Sequence, residues 1–282
     1  MSGYARNLLE AFSAEGVEIE QLHPEYASSQ MELSVSPLDP VGAADRVVLV
    51  REALRAVSAN HGYRVSFSPA VSPGGVGSGA HVHFSVWTGE DNLPARRDGA
   101  VSAEGEAWLA GILDALPALL AVGAPSVASY LRLLPQRWAA PWRCWGRENR
   151  EAALRLIDGS AAAGGAGANA EAKVIDATAN PYLLVGAIVA AGLDGMARGL
   201  RLPPEVTVDP AGLDETARAG AGITRLPTSL GAALDAFDLS AMIRDAVGPT
   251  LADTWAAVRR AEVERFAGVT DQDAAMASRW AW

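Results

Sequence analysis

Apolar and polar positions recur along the chain in two periods, and the switches between them divide it into elements. Residues 4 to 15 carry a helical pattern, and EQLHPEYASSQMELSVSP reads as two strands around a turn of small residues. Asp39 before Pro40 is a helix-start signal. Val47, Val50, Leu54 and Val57 follow at helical spacing as far as Gly62, which predicts an amphipathic helix. YRVSFSPAV predicts a strand, a glycine-rich turn follows, and HVHFSVW alternates as a further strand. Residues 103 to 121 predict a helix kinked at Pro117. A Gly/Ala-rich loop at 159 to 170 precedes EAKVID, a short strand. Asn180 as N-cap and Pro181 at the first helical position start a helix apolar nearly all round, so burial is expected. The last 80 residues are helical by pattern, apart from an irregular stretch near 203 to 226, and no internal repeat is present.

Strand parity shows where chemistry could gather. In AHVHFSVW a period of two puts His81, His83 and Ser85 on one face and Val82, Phe84 and Val86 on the other. The same rule separates Glu32 from Met31 and Leu33, and puts Glu171 with Lys173. One polar face per strand also describes an ordinary sheet wetted on one side. Two histidines and two or three carboxylates facing a shared space would suit a divalent cation, because carboxylates that close repel unless a cation or a proton neutralises them. The oxygen-rich set points to magnesium or manganese, and histidine ligation keeps zinc open. A zinc hydrolase built on the HVH pair would need a third His or Cys, and none is near in the sequence. Arg132 in YLRLLP and Arg147, Arg150 and Arg155 in WGRENREAALRLI add guanidinium forks suited to carboxylate or phosphate; a solvated face is the other reading, above all for Arg147.

Composition narrows the classes. The chain of 282 residues is long enough for one large domain or two small ones. A formal charge of −10, with no strong basic cluster, argues against nucleic acid and anionic lipid as partners. The single cysteine, Cys144, excludes an internal disulfide and any Cys-based zinc site, which fits a reducing compartment; cytoplasm is the expectation. The N-terminus has no signal-peptide core, and the longest apolar run, Tyr182 to Leu193, is shorter than the roughly 18 residues of a membrane span. Lys173 is the only lysine among 23 basic residues.

HPEYASSQMEL, GVGSGAHVHFSVW, SYLRLLP, WGRENREAALR and EAKVIDATANPYLLVGAIVAAGLDG resemble, in order and spacing, the catalytic-domain motifs of the glutamine synthetase family. Within it the wording is most similar to the FluG-type, nodulin-fused branch. The resemblance implies an α+β fold, with a curved, mostly antiparallel sheet, part of the family's catalytic barrel, backed by helices; residues 1 to 282 would be the C-terminal part of that domain. It implies that Glu25 and Glu32 hold one divalent cation, magnesium or manganese, and His81 and Glu171 the other. His83 and Ser85 match residues beside ATP, and Gly77 lies in the loop along the amino-acid substrate. Arg132 matches the arginine on the substrate carboxylate, and Arg150 and Arg155 match those on the phosphates. Family enzymes phosphorylate the side-chain carboxylate of glutamate with ATP and let an amine displace phosphate.

Departures shape the expectation. Val76 stands where many members have Asn, Asn169 replaces an arginine, and Lys173, at a further arginine position, keeps charge without the bidentate fork. Trp138 stands where an acidic residue helps bind ammonium, so a larger or less polar amine is expected, or none. Family members carry a β-grasp domain and a Glu-x-Glu strand ahead of the segment matching Gly3 to Leu9. Each cation position would then keep two of three protein ligands. The expectation is a chain weakly active or inactive alone, working as a homo-oligomer or with a complementing N-terminal chain; the alternative is a non-catalytic pseudoenzyme or regulatory subunit. Glu205, in LPPE, reads either as part of a flap over the substrate or as a solvent-exposed helix start.

Overall fold

Local signals set most of the helix starts in the computed structural model, which describes residues 2–93, 101–159 and 167–282. In chain order the elements are α1 (Ser2–Ala14), β1 (Ile19–Pro24), β2 (Met31–Val35), α2 (Pro40–Asn60), β3 (Val82–Phe84), β4 (Trp87–Thr88), β5 (Asp91–Asn92), α3 (Ala103–Gly123), α4 (Ser129–Arg132), β6 (Trp142–Arg143), β7 (Trp145–Arg147), β8 (Leu154–Ile157), β9 (Asn169–Ala172), α5 (Pro181–Arg198), α6 (Glu215–Gly220), β10 (Thr224–Arg225), α7 (Leu230–Leu239), α8 (Ala241–Val247), α9 (Pro249–Arg265) and α10 (Asp271–Ser278). The Asp39 carboxylate accepts from the N–H groups of Val41 and Gly42, and the Asn180 side chain from Tyr182 and Leu183. With proline in each first turn, α2 and α5 begin where the sequence predicts.

The fold is α+β with mostly antiparallel pairing. The principal sheet has the order β3-β9-β8-β7, in which only β7 and β8 run parallel; β1-β2, β4-β5 and β10-β6 are separate two-stranded pieces among the described residues. Val82 and Phe84, Ala170 and Ala172, and Leu154 and Leu156 point to the same side of the principal sheet and join the main core with α3, α5 and α7. A smaller core of Leu8, Phe12, Val17 and Val57 joins α1 and α2 to the β1-β2 hairpin through Leu33 and Val35.

Helices α3 and α5 meet almost backbone to backbone. A Cβ on Gly195 would stand 2.2 Å from Ala107 O and 2.6 Å from Gly111 Cα, and one on Gly192 would enter the Trp108 ring. Helix α3 is long and apolar enough to cross a membrane by composition, but 78% of its most apolar window is buried inside the protein.

Several elements differ from the sequence expectation. Residues 64 to 71 form no strand; their polar groups turn to the C-terminal end instead, with Ser66 Oγ donating to Arg279 O and Arg279 to Val71 O. HVHFSVW is broken between β3 and β4. The strand expected at EAKVID lies earlier, at Asn169–Ala172. Helix α3 continues through Pro117 to Gly123, with the flanking Leu116 and Ala118 buried in the core. Helix α5 is buried on one face only, leaving Tyr182 and Leu193 exposed, and on α2 Val47 points outward while Val50, Leu54 and Val57 pack inward. Most of the Gly/Ala-rich loop expected at 159 to 170 lies outside the described residues.

Replacing Gly195 by valine should therefore overpack the α3–α5 contact and cost at least about 1–3 kcal/mol. A urea titration should show a lower midpoint with an unchanged slope.

Candidate active site

Register across the principal sheet builds a row of polar side chains. His83 of β3 pairs with Glu171 of β9, Glu171 with Arg155 of β8, and Arg155 with Gly146 of β7. The side chains of His83, Glu171 and Arg155 point away from the apolar side that packs on the helices, and the row ends at Gly146, which has none. His83 Nε2 and Arg155 Nη1 lie 3.7 and 3.3 Å from the Glu171 carboxylate. His81, just before β3, donates from Nδ1 to Glu171 Oε1 at 2.7 Å, and Lys173 Nζ approaches the same oxygen at 3.4 Å. Glu171 is thus a buried carboxylate ringed by four nitrogen side chains. Burial alone would raise its carboxyl, but the His81 hydrogen bond and the charges of His81, Lys173 and His83 outweigh burial and hold it well below the usual carboxylate range. Loss of solvation lowers His81 and Lys173. An imidazole nitrogen beside a carboxylate oxygen is a donor set that fits a divalent cation.

A second group stands on the β1-β2 hairpin. His23 lies opposite Glu32 in register, Glu25 follows β1, and one donor atom from each of the three lies within 4.8 Å of the others. His23 Nδ1 is 3.5 Å from Glu25 and Nε2 is 3.9 Å from Glu32. Burial raises the Glu32 carboxyl, as do Glu25 and, further off, Glu171; His23 opposes them. The two groups are therefore electrostatic neighbours. Gln30, in the hairpin turn, joins the hairpin to the glycine turn by donating to Gly77 O and Ser78 Oγ.

Gly77 is required by crowding: a Cβ there would lie 2.2 Å from Arg132 Cγ and 2.8 Å from Pro69 O. Arg132 passes beneath it, buried, with Nη2 donating to Ile175 O at 2.9 Å and Lys173 O at 3.4 Å. Burial lowers the Arg132 guanidinium and buried Asp176 opposes the shift. Nη1 and the His81 ring both lie against Gly79. Arg155 is held on its other side by Glu148, at 2.5 Å. Arg150 is exposed and has no ion pair among the described residues. Ser85 is also exposed and accepts from the Trp87 indole, while His83 Nδ1 donates to Asn169 Oδ1 at 2.9 Å.

Two expectations are corrected. Glu205 starts no helix: it accepts from the Arg147 backbone N–H at 3.1 Å and pairs with the Arg147 guanidinium at 3.3 Å, so the strand end and the irregular 203 to 208 segment are fastened together. Arg147 accordingly belongs to that contact and not to a solvated face. His23 and Glu148 were not singled out by sequence; the HxE spacing of His23 and Glu25 is the one signal that could have found His23.

Known proteins supply an independent comparison. The family model "Glutamine synthetase, catalytic domain" matches residues 1–276. The chain is 50% identical over 282 residues to gamma-glutamylpolyamine synthetase GlnA3 of Streptomyces coelicolor, covering 99% of this chain and 60% of that protein. It is 31% identical over 268 residues to protein fluG of Emericella nidulans, covering 94% of this chain and 29% of that one. A crystal structure of a glutamine synthase homolog matches with a TM-score of 0.87 at 35% identity, over 99% of this chain and 63% of that chain. A GmaS–ADP complex matches at 0.84 and 26% identity, over 95% of this chain and 61% of that chain. The chain thus spans at most about three-fifths of the length of the curated relatives named here.

The Glu171 environment has a pH consequence. A carboxyl held below its usual value of 4.5 contributes stability that is fully present above that value and is lost as pH falls toward the folded-state value. With EDTA present, the difference in urea midpoint between the natural chain and Glu171→Gln should be widest near neutrality and narrow as pH drops below 4.5. Parallel curves would contradict this assignment of charge.

Proposed function

Because the chain belongs to the glutamine synthetase catalytic-domain family, we propose that it carries the acid-activating half-site of an ATP-dependent carboxylate–amine ligase. In this reading the side-chain carboxylate of glutamate or a similar acid takes the terminal phosphoryl group of ATP, and an amine then displaces phosphate from the acyl phosphate. The observation that supports it best is the convergence of His81, His83, Arg155 and Lys173 on Glu171, beside His23, Glu25 and Glu32.

Both donor sets suit a hard divalent cation, with Glu25 and Glu32 at one position and His81 and Glu171 at the other. Magnesium or manganese held there would screen the triphosphate from the acid's carboxylate. The chain's own residues do the rest. His83 and Ser85 stand on an exposed strand edge, where a nucleotide can reach them. Arg150 is exposed and pairs with no carboxylate among the described residues, which suits an arginine that meets phosphate. Arg155 is fixed between Glu148 and Glu171, so its positive charge is pre-positioned at the same wall. Arg132 and Gly77 would form the floor for the acid's carboxylate, with Lys173 adjoining. The same reading makes ATP, an acid and an amine the partners, in assembly with further copies or a complementing chain, in the cytoplasm.

The amine is larger than ammonia in this proposal. Trp138 offers an indole and no carboxylate, and the Streptomyces relative is named for glutamyl transfer to polyamines.

Isothermal titration of a non-hydrolysable ATP analogue, with and without magnesium, tests the half-site. Binding should require the metal and fall at least about tenfold in His81→Ala, the loss expected from removing one ligand or its supporting partner. A folded chain that binds no nucleotide under either condition would contradict the reading.

A further inference from the structure

The connection from β7 to β8 carries Glu148 and Arg150, and a tight turn in it begins at Asn149. Ala152 N–H donates to Asn149 O at 3.3 Å and Glu151 N–H to Asn149 Oδ1 at 3.0 Å, so the side chain reinforces the backbone turn. Arg150 and Glu151 are its two central residues. Glu148, just before it, takes φ at +48° and reaches with its carboxylate to Arg155 and to the Asp158 N–H.

The amide nitrogen of Asn149 faces a different segment. Nδ2 donates to Val206 O at 2.7 Å and to Val208 O at 3.1 Å. These carbonyls belong to the 203 to 208 strap, which is itself fastened along β7. Val206 N–H donates to Trp145 O at 3.0 Å, the Trp145 indole donates to Pro203 O at 2.7 Å, and Glu205 pairs with Arg147. Gly146 admits the strap, since a Cβ there would lie 2.2 Å from Val206 O. Val206 and Ala152 also share a small apolar cluster with Cys144 and Ile223. One carboxamide thus joins turn and strap with an acceptor and two donors, a set that an aspartate, having no donor when ionised, cannot supply.

We propose that Asn149 is a positioning residue for Arg150: by tying the turn to the 203 to 208 strap, it fixes where the Arg150 guanidinium meets the phosphates of the nucleotide. The inference rests on the ligase reading. Arg150 is exposed and pairs with no carboxylate among the described residues, so its head group is not oriented by an ion pair. The backbone beneath it is what is held, and Asn149 holds it to a second segment. A loose turn would have to be ordered each time phosphate bound, at a cost in affinity that a clipped turn avoids.

Calorimetric titration of the non-hydrolysable ATP analogue, with magnesium, into the natural chain, Asn149→Ala, Arg150→Ala and the double variant tests this. Asn149→Ala should weaken binding about fivefold or more when Arg150 is present, and less than about twofold further when Arg150 is already alanine, because a residue that acts through Arg150 then has nothing left to position. A merely structural role predicts the same loss in both backgrounds. Asn149→Asp keeps the acceptor for the Glu151 N–H and loses both donors to the strap; it should behave as Asn149→Ala does, and it replaces that variant if alanine prevents folding. Unchanged affinity in the Asn149 variants, or an equal loss with and without Arg150, would overturn the proposal. So would an Arg150→Ala chain that binds the analogue as tightly as the natural one. A natural chain that binds no analogue would overturn the ligase reading and this inference with it.

Discussion

Glu171 carries a charge in a place that water scarcely reaches, and the arrangement of the site follows from what makes that tolerable. An isolated buried carboxylate would be protonated or strongly destabilising. Here two cross-strand neighbours, His83 and Arg155, are brought to it by register alone. His81 and Lys173 reach it from positions just outside the paired strands. Four nitrogen side chains thus converge on one carboxylate, with His81 and Lys173 sharing its Oε1. Removing the carboxylate would leave these donors facing one another.

The row stays in place because of what lies behind it. Between His83 and Arg155, β9 turns Ala170 and Ala172 to the core, and β8 turns Leu154 and Leu156. Small residues on one strand and large ones on the next let the sheet lie close to α3, which is itself drawn against α5 by facing glycines. A shift of one residue in β9 would exchange Glu171 for an alanine and bury the charge in that core. The glycine turn works in the same way from the front. Gly77 lets Arg132 pass, and Gln30 fastens the turn to the hairpin that bears His23, Glu25 and Glu32.

Much of this was legible from residue order. Alternation put His81 with His83 and Glu171 with Lys173, and capping signals located α2 and α5. What escaped depends on contacts between distant segments. YRVSFSPAV alternates as well as any strand, but its polar groups pair with the C-terminal end, and no local pattern reveals that. The part played by His23 depends on the hairpin register that sets it opposite Glu32. Glu205 shows the reverse case: a proline pair before an acidic residue resembles a helix start, while the Arg147 contact makes the segment a strap along β7.

Electron paramagnetic resonance of manganese titrated into the natural chain, Glu32→Gln and Glu171→Gln tests the central claim most directly, since it counts bound ions without requiring turnover. The account predicts two bound manganese ions in the natural chain, with each substitution weakening a different one. No bound manganese in a folded chain, or the same loss from both substitutions, would contradict the claim that these residues form two neighbouring cation positions.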